Sequence, residues 1–461
     1  MASKKHPASF RDPAGFIFSY GGKIYRQVNQ AYSVNYNLLK TSGLYEQLID
    51  AKKMLPHTEM EECLAEKTNW FKTLLPEQLP FISYPYEWCF RQWKDAALLT
   101  LDIQKISIRF GMILKDATPF NIQFLNGSPI LIDTLSFEKY DPAKPWIAYR
   151  QFIECFIGPL LLARYHSQEL LKLFREYPDG IPVRLLAKLL PSKSKLNLNV
   201  WMHVFLPASM PANKNNERKE ISPFSQQKLE RIIDNLVSFV QSMKLPPVKS
   251  VWNDYYDETV LGNGYVEEKK KIIQGWMQSL PVRTAIDLGS NTGLFAKMMA
   301  AVGISTLAVD ADTECIERLY NDNKQNKITQ ILPLVVDLTN PTPAIGWDNC
   351  ERDSFFPRVH ADLCLALALV HHLAIGKNIG FGQMAETFSR LAPKLIIEFI
   401  PKSDPKVELL LQNRTDIFNQ YDEESFTKSF ETFFTIEKRE SVYPTARILF
   451  FMRRREILPE T

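Results

Sequence analysis

The chain lacks paired cysteines, an excess of charge and any apolar run of membrane length, and each absence removes a class of function. Its six cysteines, Cys63, Cys89, Cys155, Cys315, Cys350 and Cys364, are scattered, with no C-x-x-C pair. Neither a zinc site nor a disulfide framework is expected, so no metal is assigned, and the thiols read as the reduced thiols of a cytoplasmic protein. Lys plus Arg number 55 against 52 Asp plus Glu, a formal net charge of +3. That balance supplies no broad field for nucleic acid or an anionic membrane. The most apolar stretches, Phe152 to Leu162 and Leu363 to Val370, fall short of the ~20 residues that cross a bilayer. No apolar run follows the opening MASKKHPASF, so no secretory signal is expected, and no repeat is visible. The partner expected is a small molecule, with neither nucleic acid nor membrane.

What is present is the composition of folded protein, 45% hydrophobic and 23% charged over 461 residues, too long for one core. The one change of texture lies in 207–222, where PASMPANKNNERKE is nearly free of large apolar residues. It is expected to link an α+β domain, 1–206, to a second domain, 223–461. Ser222-Pro223 has the form of a helix start, and Leu229, Ile232, Ile233 and Leu236 follow at helical spacing, with an end before Pro246-Pro247.

Beyond that helix the pattern alternates. Strand-like runs at Thr284 to Leu288, Thr306 to Val309, Ile331 to Val336, Leu363 to Leu369 and Leu395 to Phe399 are mostly separated by helical segments. Such alternation predicts an α/β fold with a doubly wound parallel sheet. Phe433 to Arg439 and Ala446 to Arg453, joined by a turn at Tyr443-Pro444, supply a closing antiparallel pair.

The first strand runs into a helix through DLGSNTG, with Asp287, Gly289, Ser290, Asn291 and Gly293. Glycines let a ligand approach the backbone, and the helix start presents free N–H groups to a carboxylate. An acid leads where a dinucleotide fingerprint begins with glycine. The segment resembles the first motif of the class I S-adenosylmethionine-dependent methyltransferases, acid-x-Gly-x-Gly-x-Gly, with Asn291 at the middle glycine; Asn tolerates a left-handed backbone. The resemblance covers about 251–454 and implies that S-adenosylmethionine binds at Asp287, Gly289, Ser290, Asn291 and Gly293. Asp310, ending AVD, stands where the family holds the ribose, and Asp337 and Leu338, in VVDL, where it meets the adenine. With LVHHL and the IIEFIPKSDP segment, the chain is similar to bacterial methyltransferases related to nodulation protein NoeA.

On the substrate side, His371 and His372 follow the fourth strand at the mouth of the sheet. Imidazole suits removal of a proton from a hydroxyl or amine acceptor, so both are catalytic candidates; capping or packing of the next helix is the alternative. His372 reads as the more helix-embedded. Trp252, Tyr255, Tyr256 and Tyr265 precede the first strand and either form a lid or pack a helix on the sheet. Glu398 reads as a salt-bridged strand residue, with a place near the acceptor as the alternative.

In the N-terminal half, GMILKDATPFNIQFLNGSPILIDTLSF resembles the catalytic segment of kinase-like folds, in which an Asp is base, an Asn five residues on binds metal, and a second Asp follows a hairpin. Asp116, Asn121 and Asp133 have that spacing, with Asn126-Gly127 as the hairpin turn between Ile122 to Leu125 and Ile130 to Ile132. Phe16 to Val28 predicts another hairpin. Leu114-Lys115 and Asp133-Thr134-Leu135 depart from the family pattern, and neither a phosphate loop nor its lysine is evident, so a degenerate module used for binding or support is expected. The function expected is methyl transfer to a small or carbohydrate-like acceptor. Its rivals are a cofactor-binding regulatory module without turnover and a bifunctional phosphotransferase.

Overall fold

Gly21 and Gly22, with φ of 57° and 76°, close the expected first hairpin, because only a left-handed pair matches the twist of a two-residue turn. They lie in the first of two units into which a computed structural model divides the chain, Met1–Pro247 with Ala344–Asp353, and Val248–Pro343 with Ser354–Thr461. The described residues are 3–210, 225–246, 262–412 and 415–456. Ser222, Pro223, Trp252, Tyr255 and Tyr256 lie outside them.

Unit 1 opens with β1 (Lys4–Lys5), β2 (Gly15–Tyr20), β3 (Lys23–Asn29), β4 (His57–Met60) and β5 (Trp70–Pro76), an antiparallel sheet in the order β1-β2-β3-β5-β4. Helices Ser33–Thr41 and Leu44–Asp50 connect β3 to β4. After the long helix Phe90–Arg109, β6 (Met112–Leu114) pairs with β9 (Phe137–Lys139), and between them β7 (Ile122–Leu125) and β8 (Ser128–Leu131) form a hairpin. Asn126 and Gly127, both with positive φ, make its turn, as the sequence indicates.

The division falls at 247/248 and not at the polar stretch 207–222. Helix Gln226–Ser242 is the reason. It buries Leu229, Ile233, Leu236, Phe239 and Val240 and packs on Phe90–Arg109 within unit 1. Lys94 Nζ donates to the carbonyls of Gln241 and Met243, and Lys105 pairs with Asp234 at 2.5 Å. Its N-cap is Ser225, whose hydroxyl accepts from Lys228 N. Residues 344–353 also belong to unit 1: Arg11 pairs with Glu351, Asp353 N donates to the Tyr84 hydroxyl at 3.0 Å, and the Arg352 guanidinium lies 4.3 Å from the Phe120 ring centre.

Unit 2 begins with helix Gly262–Met277 and continues with β10 (Thr284–Leu288), β11 (Ser305–Asp310), β12 (Ile331–Val335), β13 (Leu363–Ala366), β14 (Lys394–Phe399), β15 (Phe434–Ser441) and β16 (Ile448–Arg454). The sheet order is β12-β11-β10-β13-β14-β16-β15, parallel through β14, with β16 antiparallel between β14 and β15. This is the class I methyltransferase arrangement that the sequence predicts. The fourth strand is shorter than expected, ending at Ala366. Ala368 then takes a left-handed φ of 51° and sends its N–H to a Glu398 carboxylate oxygen at 2.7 Å.

Glu398 centres a charged network in unit 2. Its other oxygen accepts from the Tyr265 hydroxyl at 2.5 Å, and Lys269 Nζ approaches to 2.6 Å. Arg447 donates to Tyr265 and grips Asp404 through two nitrogens at 2.7 and 3.0 Å. Lys269, Glu398, Arg447 and Asp404 side chains are at most 3% exposed, so their charges must neutralise one another. Burial alone would raise the Glu398 carboxyl, but Lys269 and Arg447 hold it below its ordinary value. Glu398 is thus the salt-bridged residue expected, and Tyr265 is a structural partner.

Glu398→Ala leaves the buried Lys269 ammonium without its carboxylate, while Arg447 keeps Asp404, and its expected cost is about 3–5 kcal/mol, read from denaturant unfolding of unit 2. A loss below about 1 kcal/mol would place the network outside the determinants of stability.

Candidate functional site

β10 is the middle of the five parallel strands, and the order reverses between it and β13, the position at which a doubly wound sheet opens a crevice. The loop leaving β10 places Gly289, Asn291 and Gly293 at φ of 71°, 50° and 79°. Gly293 has a second constraint, since a Cβ there would sit 2.4 Å from Leu319 Cδ1. Gly289 N and Ser290 N both bond to the Val309 carbonyl at 2.9 and 3.0 Å, fixing the loop to β11. Helix Leu294–Ala301 follows.

Two polar atoms, one near the end of β10 and one in this loop, have no hydrogen-bond partner among the described residues. They are Asp287 Oδ2 and Ser290 Oγ, both buried. Unmet buried acceptors are costly, and their placement at a glycine loop fits a ligand that supplies the donors. Burial raises the Asp287 carboxyl to about 7; Lys269 opposes this and Asp310 adds to it.

Asp310 ends β11 in register with Val335 of β12. Its two oxygens accept from the backbone N–H of Asn291 at 2.8 Å and of Asp312 at 2.9 Å. Burial raises its carboxyl as well, with these N–H groups opposing. Asp337, just past β12, accepts from Thr339 N and Thr339 Oγ1 at 2.8 and 2.7 Å, and Leu338 beside it is half-buried. Asp287, Gly289, Ser290, Asn291, Gly293, Asp310, Asp337 and Leu338 therefore lie at neighbouring carboxyl ends of parallel strands.

His371 and His372 open helix Val370–Lys377, after the turn that Glu398 holds. His372 lies one residue deeper in the helix, and the two differ in burial. His371 is fully buried with neither ring nitrogen hydrogen-bonded, while His372 is half-buried with its ring centre 4.0 Å away. Burial lowers both, helped by the positive charge of Arg447 and Lys406, and brings His372 to about 4. Both rings are neutral at pH 7.

Unit 1 contains a separate polar cluster. Asp116 accepts from Gln151 Nε2 at 2.6 Å and from Asn121 Nδ2 at 3.1 Å; Asn121 also donates to Ser136 Oγ, which donates to Asp133 at 2.5 Å. The remaining Asp133 oxygen meets the Arg26 guanidinium at 2.5 Å. Asp116, Asn121 and Asp133 thus come together as their spacing suggests, with an arginine from β3 at the second carboxylate. Among the described residues no group of three or more His, Cys, Asp and Glu is arranged to hold a metal.

Sequence reading missed Arg26, Gln151 and Ser136 in unit 1, and Lys269, Asp404 and Arg447 in unit 2. Only Lys269 left a local signal: it shares a helical face with Tyr265, Ile272, Ile273 and Trp276, all buried.

Asp287→Asn tests the unmet carboxylate. The folded state binds this proton more tightly than the unfolded chain, so the acid lowers stability as pH rises from 3.8 to about 7. The variant's gain in thermal midpoint over the parent is expected to grow across that interval and level off above it. A pH-independent difference would contradict the assignment.

No protein-family model matches the chain. The nodulation protein NoeA of Rhizobium meliloti strain 1021 is 30% identical over 458 residues, covering 97% of this chain and 96% of the relative. Among solved structures, the N-methyltransferase NodS from Bradyrhizobium japonicum WM9 is 13% identical, with a TM-score of 0.32, over 42% of this chain and 98% of its own. The bifunctional kinase-methyltransferase WbdD is 16% identical, with a TM-score of 0.29, over 42% of this chain and 39% of its own. The 30% identity to nodulation protein NoeA across nearly the full length of both sequences shows that the chain belongs to the family of that protein.

Proposed function

We propose that the chain is an S-adenosylmethionine-dependent methyltransferase acting on a small or carbohydrate-like acceptor. The observation that carries this reading is the pair of unmet buried oxygens, Asp287 Oδ2 and Ser290 Oγ, at a left-handed glycine loop, with Asp310 and Asp337 on the next two strand ends. The cofactor supplies an electrophilic methyl group on a sulfonium. The chain binds and orients. The loop from Gly289 to Gly293 takes the amino-acid end, Asp310 the ribose hydroxyls, and Asp337 with Leu338 the adenine.

In-line displacement makes positioning the main demand on the protein. Of the two histidines we assign the acceptor contact to the half-buried His372; the fully buried His371 lies beside it, with ring centres 4.0 Å apart. A ring neutral at pH 7 accepts a hydrogen bond from an acceptor hydroxyl or amine, orients its lone pair and takes its proton as the new bond forms. Unit 1 serves binding or support: Arg26 occupies the Asp133 oxygen that a phosphotransferase would give to metal.

The test is release of S-adenosylhomocysteine from S-adenosylmethionine by the full chain across a pool of small and carbohydrate acceptors. Turnover above the acceptor-free rate is expected; binding without turnover in every pool would favour the regulatory-module reading. Asp310→Asn keeps one backbone acceptor and is expected to weaken S-adenosylhomocysteine at least about tenfold by calorimetry, since bonds to a charged group contribute about 1.5–3 kcal/mol each. An unchanged dissociation constant in the folded variant would remove Asp310 from the site.

For His372→Ala the expected loss is about 100-fold in kcat with cofactor affinity unchanged. The parent's profile should show a limb as His372 protonates near pH 4, and His372→Ala should abolish it. A profile in which the variant keeps that limb would place the base elsewhere.

A further inference from the structure

The segment from 181 to 210 in unit 1 contains no acidic residue and four cations, Arg184, Lys188, Lys193 and Lys195, all exposed. The near balance of charge over the whole chain conceals this local excess. In the same segment Leu196 is 90% exposed, Leu198 72% and Trp201 44%. Large apolar side chains this open to water, adjacent to one another, depart from an ordinary surface.

Leu198 and Trp201 belong to the continuous helical run 198–209, and their direction is fixed by its opposite face. Asn197 caps it by accepting from Asn199 N and Val200 N. Inward, His203 is held between the Tyr149 hydroxyl at 2.6 Å and Asn235 Oδ1 at 2.9 Å, and Asn235 Nδ2 donates to Asn199 at 3.1 Å. Val200 and Val204 are fully buried on that side. Leu198 and Trp201, at i and i+3, are left facing out, with Leu196 preceding them. Lys195 Nζ lies 5.3 Å from the Phe205 ring centre, so its ammonium borders this apolar face.

We infer that this face is a peripheral docking surface for an anionic phospholipid bilayer. Leu196, Leu198 and Trp201 enter the headgroup boundary, and Lys193 and Lys195, with Lys188 and Arg184 on the adjoining helix, meet the phosphates. Charge complementarity selects this occupant: a bare apolar face would serve a second copy equally well, but four exposed cations on a segment that contributes no acid favour an anionic surface over another copy of the same cations. Nothing here spans a membrane, in keeping with the absence of a long apolar helix among the described residues.

The experiment is co-sedimentation of the full chain with phosphatidylcholine vesicles, with and without an equal part of phosphatidylglycerol, at low and high salt. Binding to the anionic vesicles that falls with salt is expected. Lys193→Gln with Lys195→Gln should weaken it about 25-fold, taking each lysine as about fivefold. Leu198→Ser with Trp201→Ser should weaken it at least about tenfold at either salt, through lost apolar burial. These surface changes should leave S-adenosylhomocysteine affinity and the circular dichroism spectrum unaltered. No sedimentation with anionic vesicles would overturn the inference, as would equal binding to neutral ones. So would self-association of the parent that the Leu198 and Trp201 changes abolish, which would make a second copy the occupant.

Discussion

The buried ion network around Glu398 is the constraint on which the candidate site in unit 2 depends. One carboxylate joins three parts of the fold: Lys269 and Tyr265 from the helix before the sheet, Arg447 from just before the last strand, and the backbone N–H of Ala368 after β13. Ala368 sits in a left-handed conformation, uncommon for a side chain with a Cβ, and it leads directly into the helix that opens with His371 and His372. The charge that secures the fold thereby sets the direction of the turn carrying the catalytic candidates. Lys269 also acts on Asp287, partly offsetting the burial that raises that carboxyl.

The two polar clusters of the chain resolve buried charge differently. In unit 2 the ion network is satisfied, and the loop beside it keeps two buried oxygens unmet, at Asp287 and Ser290. In unit 1 the Asp116, Asn121 and Asp133 constellation is closed by its own side chains, with Gln151, Ser136 and Arg26 meeting the oxygens. An arginine at the second carboxylate supplies the positive charge that a metal would bring, and supplies it permanently. The loop region of unit 2 leaves two buried oxygens unmet, and the unit 1 cluster is internally balanced.

The parallel strands were readable because a sheet covered on both faces makes short, continuous apolar runs, and β10, β12 and β14 begin or end within a residue or two of those runs. The glycine loop and the three strand-end acids were readable from order and spacing. Three features were not. The run from Leu363 to Leu369 hides the break at Ala368, because the partner that holds its N–H lies thirty residues away on another strand. The polar stretch 207–222 suggests a boundary, yet the next helix buries its apolar face on Phe90–Arg109, a pairing no local pattern shows. Lys269 sits in EEKKKII and reads as one solvated charge among several, although it is the cation at the centre of the network.

The central claim is that the unmet oxygens at the glycine loop belong to an S-adenosylmethionine site. A crystal structure of the full chain with S-adenosylhomocysteine tests it most directly. The account predicts the ligand over Gly289 to Gly293, its ribose at Asp310, and hydrogen-bond partners, direct or through ordered water, for Asp287 Oδ2 and Ser290 Oγ. Density for the ligand elsewhere, or a saturated crystal in which both oxygens still have no partner, would contradict it.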